Sequence, residues 1–133
     1  DLGQTQQLYI EDKASDSLTG TKHVHFWSAA KDSVAFTVEQ TVTGLPSGRF
    51  AFTVSIMGGD AGQTDIYIYV KINGQIVSRE TLGITVYNEW HTAVIENIEY
   101  SEGDTLTVGI YVKCAGPNAW GKIDDAVFNS MPE

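Results

Sequence analysis

The sequence predicts an all-β protein, an antiparallel β-sandwich of the jelly-roll type. Three observations predict it. Apolar and polar residues alternate with period two along much of the chain, and long helical periodicity is absent. Turn-forming Gly, Pro, Asn and Ser recur between the alternating stretches. The stretches are short and numerous, which suits two packed sheets better than one open sheet. At 133 residues and 42% hydrophobic content, the chain is one domain, 1–133, with an ordered core over about 8–128.

Nine strands are expected, over 5–11, 22–28, 34–42, 49–57, 65–72, 75–82, 90–98, 104–113 and 122–128. The first ends in Leu8-Tyr9-Ile10-Glu11. In the second, Val24 and Phe26 suit the core, so His23, His25 and Trp27 share the outward face. The third alternates Val34, Phe36 and Val38 with Thr37, Glu39 and Thr41. Pro46-Ser47-Gly48 separates it from the fourth, which carries Phe50, Phe52, Val54 and Ile56. The fifth buries Ile66, Ile68, Val70 and Ile72, with Tyr67, Tyr69 and Lys71 outward. Asn73-Gly74 then reads as a primed hairpin turn into the sixth, because both central residues need positive φ. Trp90 opens the seventh, and Ser101-Glu102-Gly103-Asp104 closes it. The eighth sets Leu106, Val108, Ile110 and Val112 against Thr105, Thr107, Tyr111 and Lys113. Asp1–Gln7 and Ser130–Glu133 read as frayed ends.

Alternating strand directions sort the connections into two poles. The turns at 43–48, 73–74 and 99–103 share one. The loops at 28–33, 58–64, 83–89 and 114–121 share the other, and these are longer and glycine-rich. All three tryptophans, Trp27, Trp90 and Trp120, fall at that second pole. Loops on a rigid scaffold are where sandwiches commonly carry function.

Composition excludes several partners. Eight Lys+Arg against 17 Asp+Glu give a formal net charge of -9. Nucleic acid and anionic membrane surfaces are thereby disfavoured. No apolar run approaches the ~20 residues of a membrane span. The lone Cys114 allows no internal disulfide and reads as packing. No signal peptide is visible at Asp1, and a start after one or within a longer polypeptide is the expectation.

The candidate site residues each have a plain alternative. Trp27 points outward, where an indole either stacks on a ligand or is covered by a neighbouring loop. Trp120 lies beside Asn118 in a Gly/Pro/Asn loop. An indole supports the C–H face of a pyranose while an amide bonds hydroxyls in both directions, and the alternative is a loop anchor. Trp90 suits a structural plug as well as a ligand. Arg79 could fork onto adjacent hydroxyls, or simply be solvated. His23-x-His25 lacks the further ligands zinc needs, since His91 and Cys114 are remote, and both His23 and His25 are expected to border the aromatic patch instead. Glu11 and the pair Asp124-Asp125 could meet if the first and last strands are neighbours, supplying oxygens to a hard cation, or be ordinary exposed acids. No nucleophile elbow, P-loop or H-E-x-x-H is present. Acidic residues are too plentiful for two to be singled out as a hydrolytic pair.

Four segments occur in order: His25-Phe26-Trp27-Ser28, Val38-Glu39-Gln40-Thr41-Val42-Thr43-Gly44-Leu45-Pro46-Ser47-Gly48, Met57-Gly58-Gly59, and Trp120-Gly121-Lys122-Ile123-Asp124-Asp125. Together they resemble the family 61 carbohydrate-binding modules attached to secreted bacterial family 53 endo-β-1,4-galactanases. The resemblance covers about His25 to Phe128. It implies a non-catalytic module that binds β-1,4-galactan and galacto-oligosaccharides and targets a covalently attached galactanase to pectic polysaccharide outside the cell. It passes the binding role to Trp27 and Trp120, and by similar loops to Trp90 and Asn118. Related jelly-roll modules hold structural calcium with a first-strand glutamate and a last-strand aspartate, and Glu11 and Asp124 look like those positions. No other cofactor is implied. The opening departs from the N-P-x-F-E of related modules, keeping only its end in Ile10-Glu11. Two rival classes stay open: a small glycan-active hydrolase, and a protein-interaction or adhesion domain.

Overall fold

The computed structural model describes residues 8–27, 34–85, 89–116 and 118–132. Among them are nine strands: β1 (Leu8–Asp12), β2 (Lys22–Trp27), β3 (Val34–Val42), β4 (Gly48–Gly59), β5 (Thr64–Ile72), β6 (Gln75–Leu82), β7 (His91–Tyr100), β8 (Leu106–Cys114) and β9 (Trp120–Ser130), with a 3₁₀ turn at Ala14–Asp16. They form two antiparallel sheets, β1-β2-β9-β4-β7 and β3-β8-β5-β6. This is the predicted jelly roll: the chain crosses between the sheets so that the last strand inserts between β2 and β4, and β2 separates it from the first strand.

Alternation explains the packing. Phe26, Val54, Ile56, Ile66, Ile68, Val70, Leu106 and Val112 are at most 1% exposed and fill the space between the sheets. Each contributes roughly 1.5–3 kcal/mol of burial. Two bulges interrupt the alternation where β4 meets its neighbours, besides a third between Val70 and Lys71 of β5 opposite β6. One lies between Phe50 and Phe52 opposite β7, where Asn97 takes positive φ. The other lies between Thr53 and Ser55 opposite β9, where Asp125 does. The bulge in β9 turns Asp124 and Asp125 toward the 17–19 segment, whose Leu18 and Thr19 amides donate to Asp124 Oδ2 at 2.9 and 3.2 Å.

The polar arrangement of the connections also holds among the described residues. Asn73 and Gly74 both have positive φ, as a primed turn requires. The Asn73 amide donates to the Thr105 carbonyl and the Glu102 amide to Ser47 Oγ, so the three short turns meet. At the opposite pole the Ala115 and Gly116 amides donate to the carbonyls of Gln63 and Ala61. Residues 1–7, 28–33, 86–88, Pro117 and Glu133 lie outside the described residues, and with them the expected start of the first strand, the whole of the expected 28–33 loop, and parts of the 83–89 and 114–121 loops.

Candidate functional site

Sheet register places the tryptophans. Trp27 on β2 is the direct cross-strand partner of Trp120 on β9, whose partner on its other side is Gly59 of β4. Phe26 is fully buried, so by alternation Trp27 faces away from the core. Direct antiparallel partners have Cβ atoms about 4.5–5.5 Å apart, so the two indoles arise side by side. Both rings are half-buried.

Glycine makes that pairing possible. A Cβ at Gly59 would stand 3.0 Å from Trp120 Nε1 and 3.2 Å from two ring carbons, so the indole lies across bare β4 backbone. One residue along, Gly121 occupies the inward position where a Cβ would collide with the Phe26 ring. Adjacent residues of β9 therefore serve opposite faces: Gly121 admits Phe26 inside, and Trp120 rests on Gly59 outside. The expected loop residues Gly58-Gly59 and Trp120-Gly121 are strand, because these glycines allow close approach rather than a turn.

A buried ion cluster lies on the same face, two residues further along each strand. His25 and Lys122 are cross-strand partners, and His23 is opposite Glu11. Lys122 is 3% exposed and His23 4%. Lys122 Nζ donates to Glu11 Oε1 at 2.9 Å and lies 2.9 Å from His25 Nδ1 and 3.2 Å from His23 Nε2. An ammonium only donates, so both imidazole nitrogens accept. The His23 tautomer agrees: Ser17 Oγ donates to the Lys13 carbonyl, which leaves it to accept from His23 Nδ1 at 2.8 Å. Burial and the Lys122 charge hold the His23 pKa below its ordinary value. Burial pushes the Glu11 carboxyl up, but the Lys122 hydrogen bond and charge outweigh it and the net shift is downward.

Glu11, His23 and His25 could on their own ligate a metal, with ligand atoms within 4.8 Å of one another. The Lys122 ammonium is hydrogen-bonded among all three. Asp124 is turned elsewhere, accepting the Leu18 and Thr19 amides on Oδ2 and the Asp125 amide on Oδ1. Glu11 thus faces an ammonium and two imidazoles rather than hard oxygen donors, and this set does not fit calcium. The expectation of a Glu11–Asp124 calcium site finds no support in the donor arrangement. Sequence reasoning missed the cluster, since Lys122 reads as one more outward residue of W-G-K-I-D-D. The available signal was the sharing of one strand face by His23 and His25, with Glu11 close by once β1 and β2 pair.

The other candidates are placed as follows. Trp90 is half-buried and precedes β7, two strands from Trp120. Its loop is tied down by Thr85 Oγ1, which donates to Glu89 Oε1 at 2.8 Å and lies 2.9 Å from His91 Nε2. Asn118 is exposed, with φ 69°, a left-handed conformation that Asn tolerates. It precedes Trp120 by two residues at the same pole. Arg79 is not brought to the tryptophans; it stands on β6 of the other sheet, its guanidinium 5.1 Å from the Tyr67 ring. A cavity of about 650 Å³ opens between the sheets along β2, β3 and β9, lined mainly by core side chains such as Val38, Phe52 and Ile110, and does not include the tryptophans. Cys114 is fully buried, and burial pushes its thiol up to about 11.

No family model and no curated protein matches the sequence. Among solved structures, a family 61 carbohydrate-binding module in complex with beta-1,4-galactotriose superposes with TM-score 0.82 and 22% identity, over 96% of this chain and 84% of that one. A structure described as family 16 carbohydrate binding module-2 matches with TM-score 0.57 and 16% identity, over 92% of this chain and 84% of that one. Both likenesses are of fold.

Proposed function

We propose that this chain is a non-catalytic carbohydrate-binding module for β-1,4-galactan and its oligosaccharides. The observation that carries the reading is the Trp27–Trp120 pair, set side by side on an outer sheet face next to the loop-bearing pole. Support comes from the likeness of fold to a family 61 module solved with beta-1,4-galactotriose and from the ordered W-containing segments of the sequence.

The mechanism follows from the groups present. The indoles stack on the C–H faces of successive galactosyl rings. By analogy with base stacking, each contributes about 1–3 kcal/mol. The Asn118 amide, two residues from Trp120 at the same pole, sorts hydroxyl orientations. An axial O4 makes β-1,4-galactan helical, and rings meeting at an angle suit it better than a flat ribbon. Because Trp27 and Trp120 arise from paired strands, their spacing is fixed before the sugar arrives, which limits the ordering cost of binding. Attachment to a secreted galactanase would raise that enzyme's local substrate concentration at the polysaccharide.

Titration calorimetry with β-1,4-galacto-oligosaccharides of increasing length tests this, with cellulose and xylan fragments as controls. Trp27→Ala and Trp120→Ala should each weaken binding about 5- to 150-fold with unchanged far-ultraviolet circular dichroism. Equal affinity in both variants would remove the site. Release of new reducing ends from galactan at an enzyme-like rate would reject the non-catalytic reading.

A further inference from the structure

The opposite face of the molecule carries a second aromatic surface that the tryptophan site does not use. On the four-stranded sheet, Ile66, Ile68 and Val70 point inward, so Tyr67, Tyr69 and Lys71 point out. Tyr67 is the direct partner of Tyr111 on β8, and their ring centroids are 5.3 Å apart at 34°. Tyr69 is the partner of Gly109, where a Cβ would stand 2.5 Å from the phenol oxygen. Its ring therefore lies flat across β8, and its hydroxyl donates to Glu39 Oε2 of β3 at 2.5 Å. Tyr69 is 3% exposed, whereas Tyr67 and Tyr111 keep part of their surface in water. A floor is thus laid by one ring, and two more stand beside it.

Charge distinguishes this face from the rest of the chain. The protein as a whole is at -9, yet Lys71, Arg79 and Lys113 gather here against Glu39 and Asp65. Glu39 is already engaged by Tyr69 and by Lys71 Nζ at 3.4 Å. The Arg79 guanidinium stacks over Tyr67 at 5.1 Å, and no carboxylate partner for it is found among the described residues. A planar fork beside an aromatic platform is suited to one ligand class: a pyranose carrying a carboxylate. The sugar's C–H face would lie on Tyr67 or Tyr111, and its carboxylate would accept the two parallel N–H groups of Arg79.

We infer that the Tyr67–Tyr111–Arg79 face is a second glycan-binding surface, specific for chains of uronic acid. It is independent of the tryptophan site and does not rest on the galactan reading.

The probe is a set of α-1,4-galacturonate oligomers titrated into the whole chain by calorimetry at low and high salt. The wild type should bind, and added salt should weaken binding because the ion pair is exposed. Arg79→Gln should weaken it about tenfold or more. Tyr111→Ala should do so about 5- to 150-fold. Arg79 is an exposed residue of an edge strand, so its variant stays interpretable if Tyr111→Ala lowers stability. Trp27→Ala should leave galacturonate binding intact. The inference is overturned by absence of binding in the wild type, by binding that survives Arg79→Gln, or by loss in Trp27→Ala. Neutral galacto-oligosaccharides competing at this face as well as galacturonate would also overturn it.

Discussion

Replacing Lys122 with Met keeps most of the volume and removes the charge. In the native chain the ammonium is 2.9 Å from Glu11 Oε1 and 2.9 Å from His25 Nδ1. At an effective dielectric near 20 the attraction to Glu11 is about 6 kcal/mol before desolvation is subtracted. Removing one partner of a buried pair typically costs about 3–5 kcal/mol, because the other charge stays behind unpaired. Glu11 keeps 20% of its side chain in solvent, so the lower end, about 3 kcal/mol, applies. With 133 residues the unfolding entropy is about 0.28 kcal/mol/K, which turns that loss into a fall in Tm of about 10 °C. Thermal and urea unfolding at pH 7 would measure it, with Lys22→Met, an exposed lysine of β2, as a control expected within about 0.5 kcal/mol of wild type. The decisive comparison is the double-mutant cycle. Glu11→Gln in the Lys122→Met background should cost much less than Glu11→Gln alone, since the stranded carboxylate has gone. A Lys122→Met protein melting within about 2 °C of wild type, or a strictly additive cycle, would refute the idea that this ammonium ties β1, β2 and β9 together.

Three more outcomes follow from the same structure. His23 has its pKa lowered from 6.5, so the unfolded chain takes up a proton that the native state refuses; stability is full above about pH 6.5 and falls below it, by at most about 1.4 kcal/mol per pH unit for one proton. Glu11, lowered from 4.5, extends the loss to more acidic pH, and urea midpoints that rose on acidification from pH 7 to 5 would contradict this assignment. Gly59→Ala sets a methyl carbon 3.0 Å from Trp120 Nε1, closer than the ~3.5 Å of ordinary contact; galactotriose affinity should drop and indole fluorescence shift, while Gly48→Ala, which meets nothing within 4 Å, leaves both unchanged. Cys114, fully buried with its thiol pushed up to about 11, should resist thiol reagents at pH 8 in the native state and react at once in denaturant.

Strands were legible because each stretch buries one face, and a one-residue slip would reverse it. Hence Val34–Val42 and Gln75–Leu82 coincide with their predicted bounds. The glycines misled where they serve packing: Gly58 and Gly59 look like loop residues in isolation, but β4 runs through them because Trp120 and Gly121 need bare backbone opposite. Trp27 was readable as outward from its neighbours Val24 and Phe26. Its pairing with Trp120 was not, since that depends on which strand lies beside β2. Arg79 shows the same gap from the other side: no local pattern tells which sheet an arginine will decorate.

Long-range register also explains why the tryptophan face and its buried support form together. The hydrogen bond from Lys122 to Glu11 spans 111 residues, so it cannot form until the last strand has inserted between β2 and β4. That same insertion sets Trp120 against Trp27 and over Gly59. Two residues of strand, about 7 Å, separate the indole row from the ammonium row. A shift of β9 by one residue would turn Trp120 into the core and Lys122 with it. The buried charge makes that slip costly, because an ammonium moved away from Glu11, His23 and His25 would have no compensating acceptors. Lys122 therefore acts on the proposed sugar site through alignment rather than contact. Its removal should lower galactan affinity only as far as β9 loses its register, which places the loss in binding behind the loss in stability.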